Sequence, residues 1–394
     1  MSKKTVNVAL IGQAFMGRAH SNGWSQVGRF FDPPLSPVLH TFCARHGESL
    51  QSFAARWGWK KAETDWRAVC ADPDVDLVDI GTPNHLHRPM AEAALAAGKA
   101  VACEKPLAGT LDDARRMRDA ARRAGAKTFV WYCYRRCPAV ALAHQLVKAG
   151  RIGKVRHVRA VYLQSWADES VPLAWRFDRK RAGSGSHGDL NAHIVDMTRF
   201  VTGEEIVEVS GAIAETFIRR RRRMVGAAAG GLAEGLAGSG KTGRVTVDDA
   251  VLFLARFSGG AVASFEATRM ATGNLNRHGF EINGTKGALR FNFERMMELD
   301  YFDATADRAV RGWTTIYCQQ GGHPYAGAWW PAAHAIGYEH TFTNMAYDIL
   351  CALAGNAPVA PLPDFEDAYQ TQRVLEAALR AARERRAVPL SEVR

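Results

Sequence analysis

The sequence has 394 residues, which at about 100 to 200 residues per domain predicts two or three domains. Hydrophobic residues make up 47% and charged residues 23%, and these ordinary fractions exclude a disordered, collagen-like or coiled-coil chain. The net charge of +11 would suit an anionic partner, but much of it lies in the run Arg219–Arg223 and on solvent-facing helix positions. We therefore expect no nucleic-acid partner, with an anionic or phosphorylated ligand as the alternative.

Location and redox state follow from what the chain lacks. No run approaches the roughly 18 consecutive apolar residues of a membrane span, and the first residues lead into a strand pattern without a signal-peptide core. The seven cysteines are odd in number and scattered among apolar segments, which is typical of buried free thiols in a reducing compartment. We expect a cytoplasmic protein with no membrane partner and no metal site.

The first third of the chain alternates strand and helix patterns. The predicted helices are 15–30, 48–57, 89–97 and 111–124, and the predicted strands are 5–11, 38–43, 75–80, 100–103 and 128–133. Strands that alternate with helices through short connections are typical of a doubly wound parallel sheet. We predict an α/β protein whose N-terminal Rossmann domain spans residues 1–130.

The pattern changes after residue 130. A helix at 138–149 is followed mainly by strands, and helices return at 339–354 and 365–385; the strands are 155–164, 206–217, 245–257, 261–267 and 279–283. Consecutive strands favour a large, mainly antiparallel open sheet. We predict a second α/β domain over 131–394, for substrate binding and oligomerisation, with a mobile Gly/Ala-rich insertion near 219–244.

A glycine-rich loop, Gly12-Gln13-Ala14-Phe15-Met16-Gly17, lies where the first strand turns into the first helix. Gly12 permits the tight turn and Gly17 permits close packing of helix on strand, so the helix N-terminus can face a pyrophosphate. A purely structural turn is the alternative. This loop and the predicted sheet together indicate a dinucleotide cofactor, NAD or NADP.

The end of the second strand bears on the choice between these cofactors. The segment Cys43-Ala44-Arg45 lacks the acidic residue that would bind the ribose 2′-hydroxyl of NAD. Arg45 could instead meet the 2′-phosphate of NADP, so the sequence favours NADP. The alternative is that Arg45 faces solvent or stacks on adenine.

Two further segments carry candidate catalytic groups. Lys105 follows a predicted strand, at the edge where open parallel sheets bind ligands, and its ammonium could stabilise a substrate alkoxide. Asp189 and His193 lie four residues apart on a predicted helix and share one face. A carboxylate one turn from an imidazole can orient it as a general base. A surface turn and a helix-capping pair are the alternatives.

Together these features resemble the Gfo/Idh/MocA family of sugar and polyol oxidoreductases. The matching motifs, in family order, are the glycine loop, Thr82-Pro83-Asn84-His85-Leu86-His87, Glu104-Lys105-Pro106, Tyr134-Arg135-Arg136 and Asp189-Leu190-Asn191-Ala192-His193. Within the family the chain looks most similar to sugar dehydrogenases of the levoglucosan dehydrogenase type, through the segments 162–166, 173–177 and 265–269. Two positions depart from the family pattern, because Ala14 and Asn191 stand where glycine is common. Asn191 is expected to bring an amide close to the substrate pocket.

The resemblance implies a catalytic trio of Lys105, Asp189 and His193, and a homodimer or homotetramer formed through the second sheet. It implies cofactor contacts from Gly12, Gln13, Ala14, Phe15, Met16, Ala44, Arg45, Thr82, Pro83, Asn84, His87, Glu104 and Lys105. Substrate contacts are expected from Lys105, Tyr134, Gln164, Trp166, Trp175, Arg176, Asp189 and His193. Indole faces suit the C–H surface of a sugar, although both tryptophans could equally be core residues.

The favoured function is an NAD(P)-dependent oxidoreductase that transfers a hydride between a nicotinamide cofactor and a secondary hydroxyl. The substrate would be a sugar, an anhydrosugar or a cyclitol. One alternative is a glycoside-modifying enzyme that uses transient oxidation with tightly bound cofactor. Another is a non-catalytic dinucleotide-sensing regulator, which would need none of the three catalytic residues.

Overall fold

The computed structural model describes residues 4–45, 47–224 and 238–394, and these fall into two compact units. The first unit comprises the described residues up to Arg136 together with Gly337–Tyr369. The second comprises the described residues from Cys137 to Ile336 together with Gln370–Arg394.

The first unit contains a six-stranded parallel sheet. Its strands are β1 Thr5–Ile11, β2 Ser36–Cys43, β3 Lys61–Glu63, β4 Leu77–Ile80, β5 Ala100–Cys103 and β6 Thr128–Val130. Their order is β3-β2-β1-β4-β5-β6, with every neighbouring pair parallel. This is the strand order of the doubly wound dinucleotide-binding fold, which confirms the predicted Rossmann sheet.

Helices connect these strands. They are α1 Phe15–Phe30, α2 Gly47–Trp57, α3 Trp66–Ala71, α4 His87–Ala96 and α5 Leu111–Ala124. Helix α5 shows why such segments form where they do. The Thr110 hydroxyl accepts the Asp113 N–H at its start, two acidic residues occupy its first turn, and Gly125 ends it with φ +59°.

The second unit contains a nine-stranded sheet and a two-stranded ribbon. Its strands are β7 Val155–Leu163, β8 Ile206–Glu215, β9 Arg220–Met224, β10 Gly238–Arg244, β11 Ala250–Phe257, β12 Val262–Thr268, β13 Arg277–Gly284, β14 Gly287–Asn292, β15 Glu298–Asp303, β16 Trp313–Tyr317 and β17 Val388–Pro389. The large sheet has the order β16-β15-β14-β13-β7-β12-β11-β8-β17. Strands β7 and β12 are parallel and the remaining described neighbours are antiparallel, which confirms the mainly antiparallel sheet.

Five further α-helices lie in the described part of the chain. They are α6 Pro138–Lys148, α7 Arg179–Ala182, α8 Ala192–Thr202, α9 Tyr338–Ala354 and α10 Phe365–Glu384. Helix α9 belongs to the first unit, although the sequence analysis assigned its residues to the second domain. The physical reason is its packing on α1, where a Cβ atom at Gly23 would lie 3.1 Å from the carbonyl carbon of Phe342.

The structure revises the predicted insertion at 219–244. Its flanks form the antiparallel strands β9 and β10, while residues 225–237 lie outside the described residues. Arg221, from the run read as a surface segment, is 2% exposed. Its guanidinium donates to the carbonyl groups of Ala167 and Val171 and stacks on Phe177 at 4.1 Å. One arginine of the run is therefore a core residue, because backbone carbonyl groups accept hydrogen bonds from both of its terminal nitrogens.

Candidate active site

The glycine loop has the close backbone approach that the sequence predicted. Gly12 has φ +134°, and a Cβ atom there would lie 2.4 Å from the carbonyl oxygen of Gly81. A Cβ atom at Gly17 would lie 2.2 Å from the carbonyl oxygen of Gly12. Neither position has room for a side chain, so the end of β1 passes tightly between β4 and the start of α1.

The start of α1 is left open to an anion. Ala14 supplies no side-chain hydrogen bond at the N-cap, and the first turn contains no acidic residue. The N–H groups of the first helical turn, which have no partner within the helix, and the positive end of the helix dipole suit a pyrophosphate. Phe15 is 38% exposed beside this helix start, and its ring stacks on Tyr338 at 5.8 Å. Gln13 and Met16 are half-buried next to it.

Arg45 is exposed just after β2, and Ala44 before it is half-buried. The neighbouring strand β3, which the sequence analysis missed, brings the carboxylate of Glu63 to this edge of the sheet, opposite Cys43. One oxygen of that carboxylate accepts the backbone N–H groups of Thr64 and Asp65 at 2.6 and 2.9 Å. Glu63 is thereby engaged in its own turn, and Arg45 is the exposed charge at the end of β2.

The Thr82–His87 segment follows β4. Thr82, Pro83 and Asn84 are half-buried, as a cofactor contact requires. His87, predicted as a contact, is instead fully buried. Its ring nitrogens lie 2.9 Å from the carbonyl oxygen of Thr82 and 3.2 Å from that of Pro106. Burial lowers the pKa of His87, and its ring lies between the two loops that contain these carbonyl groups.

Lys105 lies in the turn after β5, as predicted. The backbone N–H of Lys105 donates to Oε2 of Glu104 at 3.0 Å, and the peptide bond between Lys105 and Pro106 is cis. Glu104 is 4% exposed, whereas Lys105 is half-buried. Glu104 was predicted as a cofactor contact, but its carboxylate faces inward and holds the turn that presents Lys105.

Asp189 lies in a π-helical turn, His187–Asn191, rather than in a regular α-helix. Such turns widen the spacing along a helix and are frequent at functional sites. Its carboxylate accepts a hydrogen bond from Arg269 at 2.8 Å. Arg269 is 2% exposed, donates also to the carbonyl oxygen of Gly185 at 3.0 Å, and lies over the ring of Trp166 at 5.2 Å. A buried guanidinium therefore holds the Asp189 side chain.

His193 is 6% exposed at the start of α8. The rings of Tyr162 and His278 lie 5.8 and 6.0 Å from its ring, and Tyr162 stacks on His278 at 4.5 Å. The Tyr162 hydroxyl donates to Asn276 at 2.9 Å. Strands β7 and β12 are parallel and end at the same edge of the sheet, where the antiparallel strand β13 begins. This topology places Tyr162, near the end of β7, beside His278, at the start of β13.

Sequence reasoning did not single out His278 or Asn276, because neither belongs to a motif or an apolar period. It also gave no role to Arg269, although that residue ends one of the family-like segments. The one indication of Arg269 in the sequence is that a cationic residue closely follows an apolar strand pattern. Its partner Asp189 lies 80 positions away, so local spacing could not reveal the pair.

Several side chains that were predicted to contact the substrate are bonded to, or packed against, other side chains of the protein. Gln164 donates to Asn276 at 2.8 Å and accepts the indole N–H of Trp166 at 2.8 Å. The Trp166 ring also packs against a buried apolar cluster that includes Phe177. The remaining contacts differ in exposure: Trp175 and Arg176 are half-buried and stack on each other at 4.6 Å, and Tyr134 is 6% exposed.

Asn191 does not bring its amide to a pocket, which corrects the prediction. The side chain is fully buried, and its nitrogen donates to Nδ1 of His187 at 2.9 Å and to the carbonyl oxygen of Val251 at 3.1 Å. His187 in turn donates from Nε2 to Leu375 at 2.8 Å, and burial lowers its pKa. The amide and the neutral ring together stabilise the π-helical turn.

The described residues contain neither a metal-binding cluster nor a membrane-spanning helix. Within them, no group of three or more His, Cys, Asp or Glu side chains is arranged to hold a metal ion. Over the same ranges, no helix combines the length and the apolar character needed to cross a bilayer.

The strand order, the glycine turn and the second mixed sheet define the class of a dinucleotide-dependent oxidoreductase. Residues 6–132 match the family model described as "Oxidoreductase family, NAD-binding Rossmann fold", and residues 140–290 match the "GFO/IDH/MocA C-terminal domain". Levoglucosan dehydrogenase from Pseudarthrobacter phenanthrenivorans is 41% identical over 383 residues, which is 96% of each chain. The chain belongs to the Gfo/Idh/MocA family, and its predicted membership is confirmed.

Solved structures agree with this assignment. An oxidoreductase domain protein from Kribbella flavida is 46% identical with a TM-score of 0.91, and the match covers 98% of this chain and 99% of that one. A complex of levoglucosan dehydrogenase with NADH and levoglucosan is 39% identical with a TM-score of 0.90, covering 98% and 100%. The protein is thus an oxidoreductase with an NAD-binding Rossmann domain.

Proposed function

We propose that this protein is a dehydrogenase that oxidises a secondary hydroxyl of a sugar, an anhydrosugar of the levoglucosan kind, or a cyclitol. The observation that carries the proposal is the match to levoglucosan dehydrogenase over nearly the full length of both chains. Lys105, Asp189 and His193 provide the acid/base groups that such a reaction needs. The same groups would be superfluous in a dinucleotide-sensing regulator.

The first unit has the features needed to hold a dinucleotide. The glycine-only approach at Gly12 and the open start of α1 would hold the pyrophosphate. Thr82, Pro83 and Asn84 would line its nicotinamide half, and Ala44 and Arg45 its adenosine half. When bound, NAD takes up the hydride that leaves the carbinol carbon.

The chain's own residues handle the proton and the developing charge. His193 accepts the hydroxyl proton on an imidazole nitrogen, and its burial limits exchange of that proton with water. Lys105 donates a hydrogen bond to the alkoxide as it forms. Asp189 lies one helical turn before His193 and is held by Arg269; it is the carboxylate that we propose supports the protonated imidazole.

A substrate panel tests this function. The purified protein would be assayed with levoglucosan, myo-inositol and common aldoses, using NAD and NADP in parallel and following absorbance of the reduced nicotinamide. We expect oxidation of at least one of these polyols. Failure of every substrate, with nicotinamide cofactor co-purifying in bound form, would instead support elimination or epimerisation through transient oxidation.

We further propose that Arg45 lets the protein accept NADP as well as NAD. Arg45→Ala should weaken NADPH binding about tenfold, because a charge-assisted hydrogen bond to the 2′-phosphate is lost. NADH has no such phosphate, so its affinity should stay close to wild type. Fluorescence titration of both reduced cofactors measures this, with Arg56→Ala, an exposed arginine on α2, as the control. Unchanged NADPH affinity in Arg45→Ala would refute the assignment.

We propose that the exposed apolar face of the nine-stranded sheet contacts a second copy of the chain. Leu252 pairs with Ile213 across β11 and β8, so their side chains share a face with Leu254; Leu252, Leu254 and Ile213 are 38%, 52% and 59% exposed. Exposed apolar patches of this kind mark interfaces. Leu254→Glu should convert an oligomer to a monomer in light scattering, whereas Val310→Glu, outside the sheet, should not. An oligomer that survives Leu254→Glu would contradict the proposal.

From the state of its cysteines we propose that the protein works in a reducing compartment, the cytoplasm. All seven are free and buried, as the sequence predicted. Burial raises the pKa of Cys43, Cys133 and Cys318 to about 12, which keeps these thiols protonated and unreactive.

A further inference from the structure

A cluster of charged side chains lies in the core of the first unit, next to the turn that carries Lys105. His20 on α1 places Nδ1 3.0 Å from both carboxylate oxygens of Asp79 and Nε2 3.1 Å from Oε1 of Glu104. The indole N–H groups of Trp24 and Trp131 each donate to an Asp79 oxygen at 2.8 Å. His20 and Asp79 are fully buried and Glu104 is 4% exposed.

These contacts determine the protonation state of His20. Both ring nitrogens face carboxylate oxygens, and a neutral imidazole could donate from only one of them. Burial opposes the charged ring, but the charge and hydrogen bond of Asp79, and then those of Glu104, outweigh it and raise the pKa of His20 to about 9. His20 is therefore an imidazolium between two carboxylates at neutral pH.

Glu104 connects this cluster to Lys105. Its Oε1 faces His20, while its Oε2 accepts the backbone N–H of Lys105 at 3.0 Å. On the other side of the turn, His87 contacts the carbonyl oxygens of Pro106 and Leu107 at 3.2 Å. The backbone around Lys105 is thus held by the Glu104 carboxylate on one side and by the buried ring of His87 on the other.

Stability alone does not account for such a cluster. Replacing buried ion pairs by well-packed apolar residues is often neutral or stabilising, because desolvating the charges costs as much as their attraction gains. A charged, hydrogen-bonded network instead fixes the geometry of its groups, because each donor must stay within reach of its acceptor. In this protein the network ends at the backbone N–H of Lys105, which donates to Glu104.

We propose that His20, Asp79 and Glu104 form a positioning network that holds Lys105 in place for alkoxide stabilisation. The inference rests on the proposed function of Lys105. His20 and Asp79 act through Glu104 and touch neither substrate nor cofactor. A displacement of about 1 Å at a catalytic group can cost about a hundredfold in rate, which is the scale at which such a network matters.

The network has a pH limit with a definite sign. The folded-state pKa of His20 lies above its ordinary value of 6.5, so the ring stays charged at neutral pH and the network is lost as the pH rises through about 9. The titratable groups facing His20 are Asp79 from β4 and Glu104 after β5, while α9 contributes the ring of Phe342 at 5.4 Å. We expect wild-type kcat to fall above this pH.

Two substitutions of Glu104 test the network. Glu104→Ala removes the link and should lower kcat about 10- to 100-fold with little change in NADH affinity. Glu104→Gln should keep most of the activity at pH 7, because the amide can donate to a neutral His20 and still accept the Lys105 N–H. It should also lack the wild-type loss of kcat above pH about 9. Val69→Ala, which makes a cavity on α3, is the control for general destabilisation.

The outcomes separate the inference from the proposed function. Wild-type turnover in Lys105→Ala would remove the role of Lys105 and with it the proposed chemistry. An inactive Lys105→Ala, together with a Glu104→Ala as active as Val69→Ala, would overturn the network alone. If Glu104→Ala does not fold, the pH profiles decide: parallel losses in wild type and Glu104→Gln would overturn the inference, and loss in wild type alone would support it.

Discussion

Lys105→Ala and His193→Ala are each expected to lower kcat by about a hundredfold or more, the usual scale for a lost acid/base group. Lys105 stands at the end of a buried parallel strand, on a turn held by Glu104. His193 stands at the start of α8 behind the rings of Tyr162 and His278. The proposed pyrophosphate site is formed by the glycine turn and the start of α1, which neither substitution changes, so NADH affinity should stay close to wild type.

The double variant provides a sharper test. If Lys105 and His193 act in the same transition state, their effects should be less than multiplicative, because residues that work as a unit fail together. Asp189→Asn should lower kcat less than His193→Ala, since it keeps the shape and removes the charge that favours the imidazolium. Steady-state kinetics on the best substrate of the panel measures all four variants.

Matched controls are available for both single variants. Lys60 is an exposed lysine near β3, and His144 is a partly exposed histidine that contacts the carbonyl oxygen of Phe200 at 2.7 Å. Lys60→Ala and His144→Ala should retain wild-type kcat. A His193→Ala enzyme with near wild-type turnover would end the proposed proton-transfer role and leave Lys105 as the better base.

The second large effect concerns stability of the first unit. Arg136 and Asp348 form an ion pair with an Nε–Oδ2 distance of 3.1 Å, and both side chains are fully buried. Arg136 donates also to the carbonyl oxygens of Ala360 and Pro361 at 3.0 Å, and the other Asp348 oxygen accepts the Val359 N–H at 2.9 Å. Asp348→Ala should lower the free energy of unfolding by about 3–5 kcal/mol, because it leaves a buried guanidinium charge unpaired.

Urea unfolding followed by tryptophan fluorescence measures this loss. The first unit contains the buried Trp24 and Trp131, so its transition should move to lower urea with the slope unchanged. Asp112→Ala, which removes the acidic partner of exposed arginines on α5, is the control and should leave the midpoint nearly unchanged. A similar shift in both variants would show that the buried Arg136–Asp348 pair contributes no more to the free energy of unfolding than an exposed ion pair does.

The sequence by itself determined most elements of the first unit and its glycine turn. Strands β1 and β5 begin and end where they were predicted, because continuous apolar runs bounded by glycine or a charged turn have few alternatives in a parallel sheet. Helix α5 was equally predictable from its caps and its period. Lys105 could be placed at the active edge because its position depends on the end of one strand.

Short or locally ambiguous elements needed the tertiary structure. Strand β3 has three residues, too few for a period, and forms because β2 offers it an open edge. The π-helical turn at Asp189 reads as ordinary helix in sequence, but the buried Asp248 carboxylate accepts the backbone N–H groups of Gly185 and His187 at 2.8 Å. That contact, from 63 and 61 positions away, holds the chain into the turn.

Long-range charge pairing was also decided by the fold alone. His20 meets Asp79 across 59 positions and Glu104 across 84. Arg221 enters the core and donates to the carbonyl groups of Val171 and Ala167, which lie 50 and 54 positions away. A charged residue in a sequence reads as exposed because burial costs several kcal/mol without partners. Only the folded chain supplies those partners, so the supporting network beneath Lys105 and the Arg269 contact to Asp189 became visible in the structure.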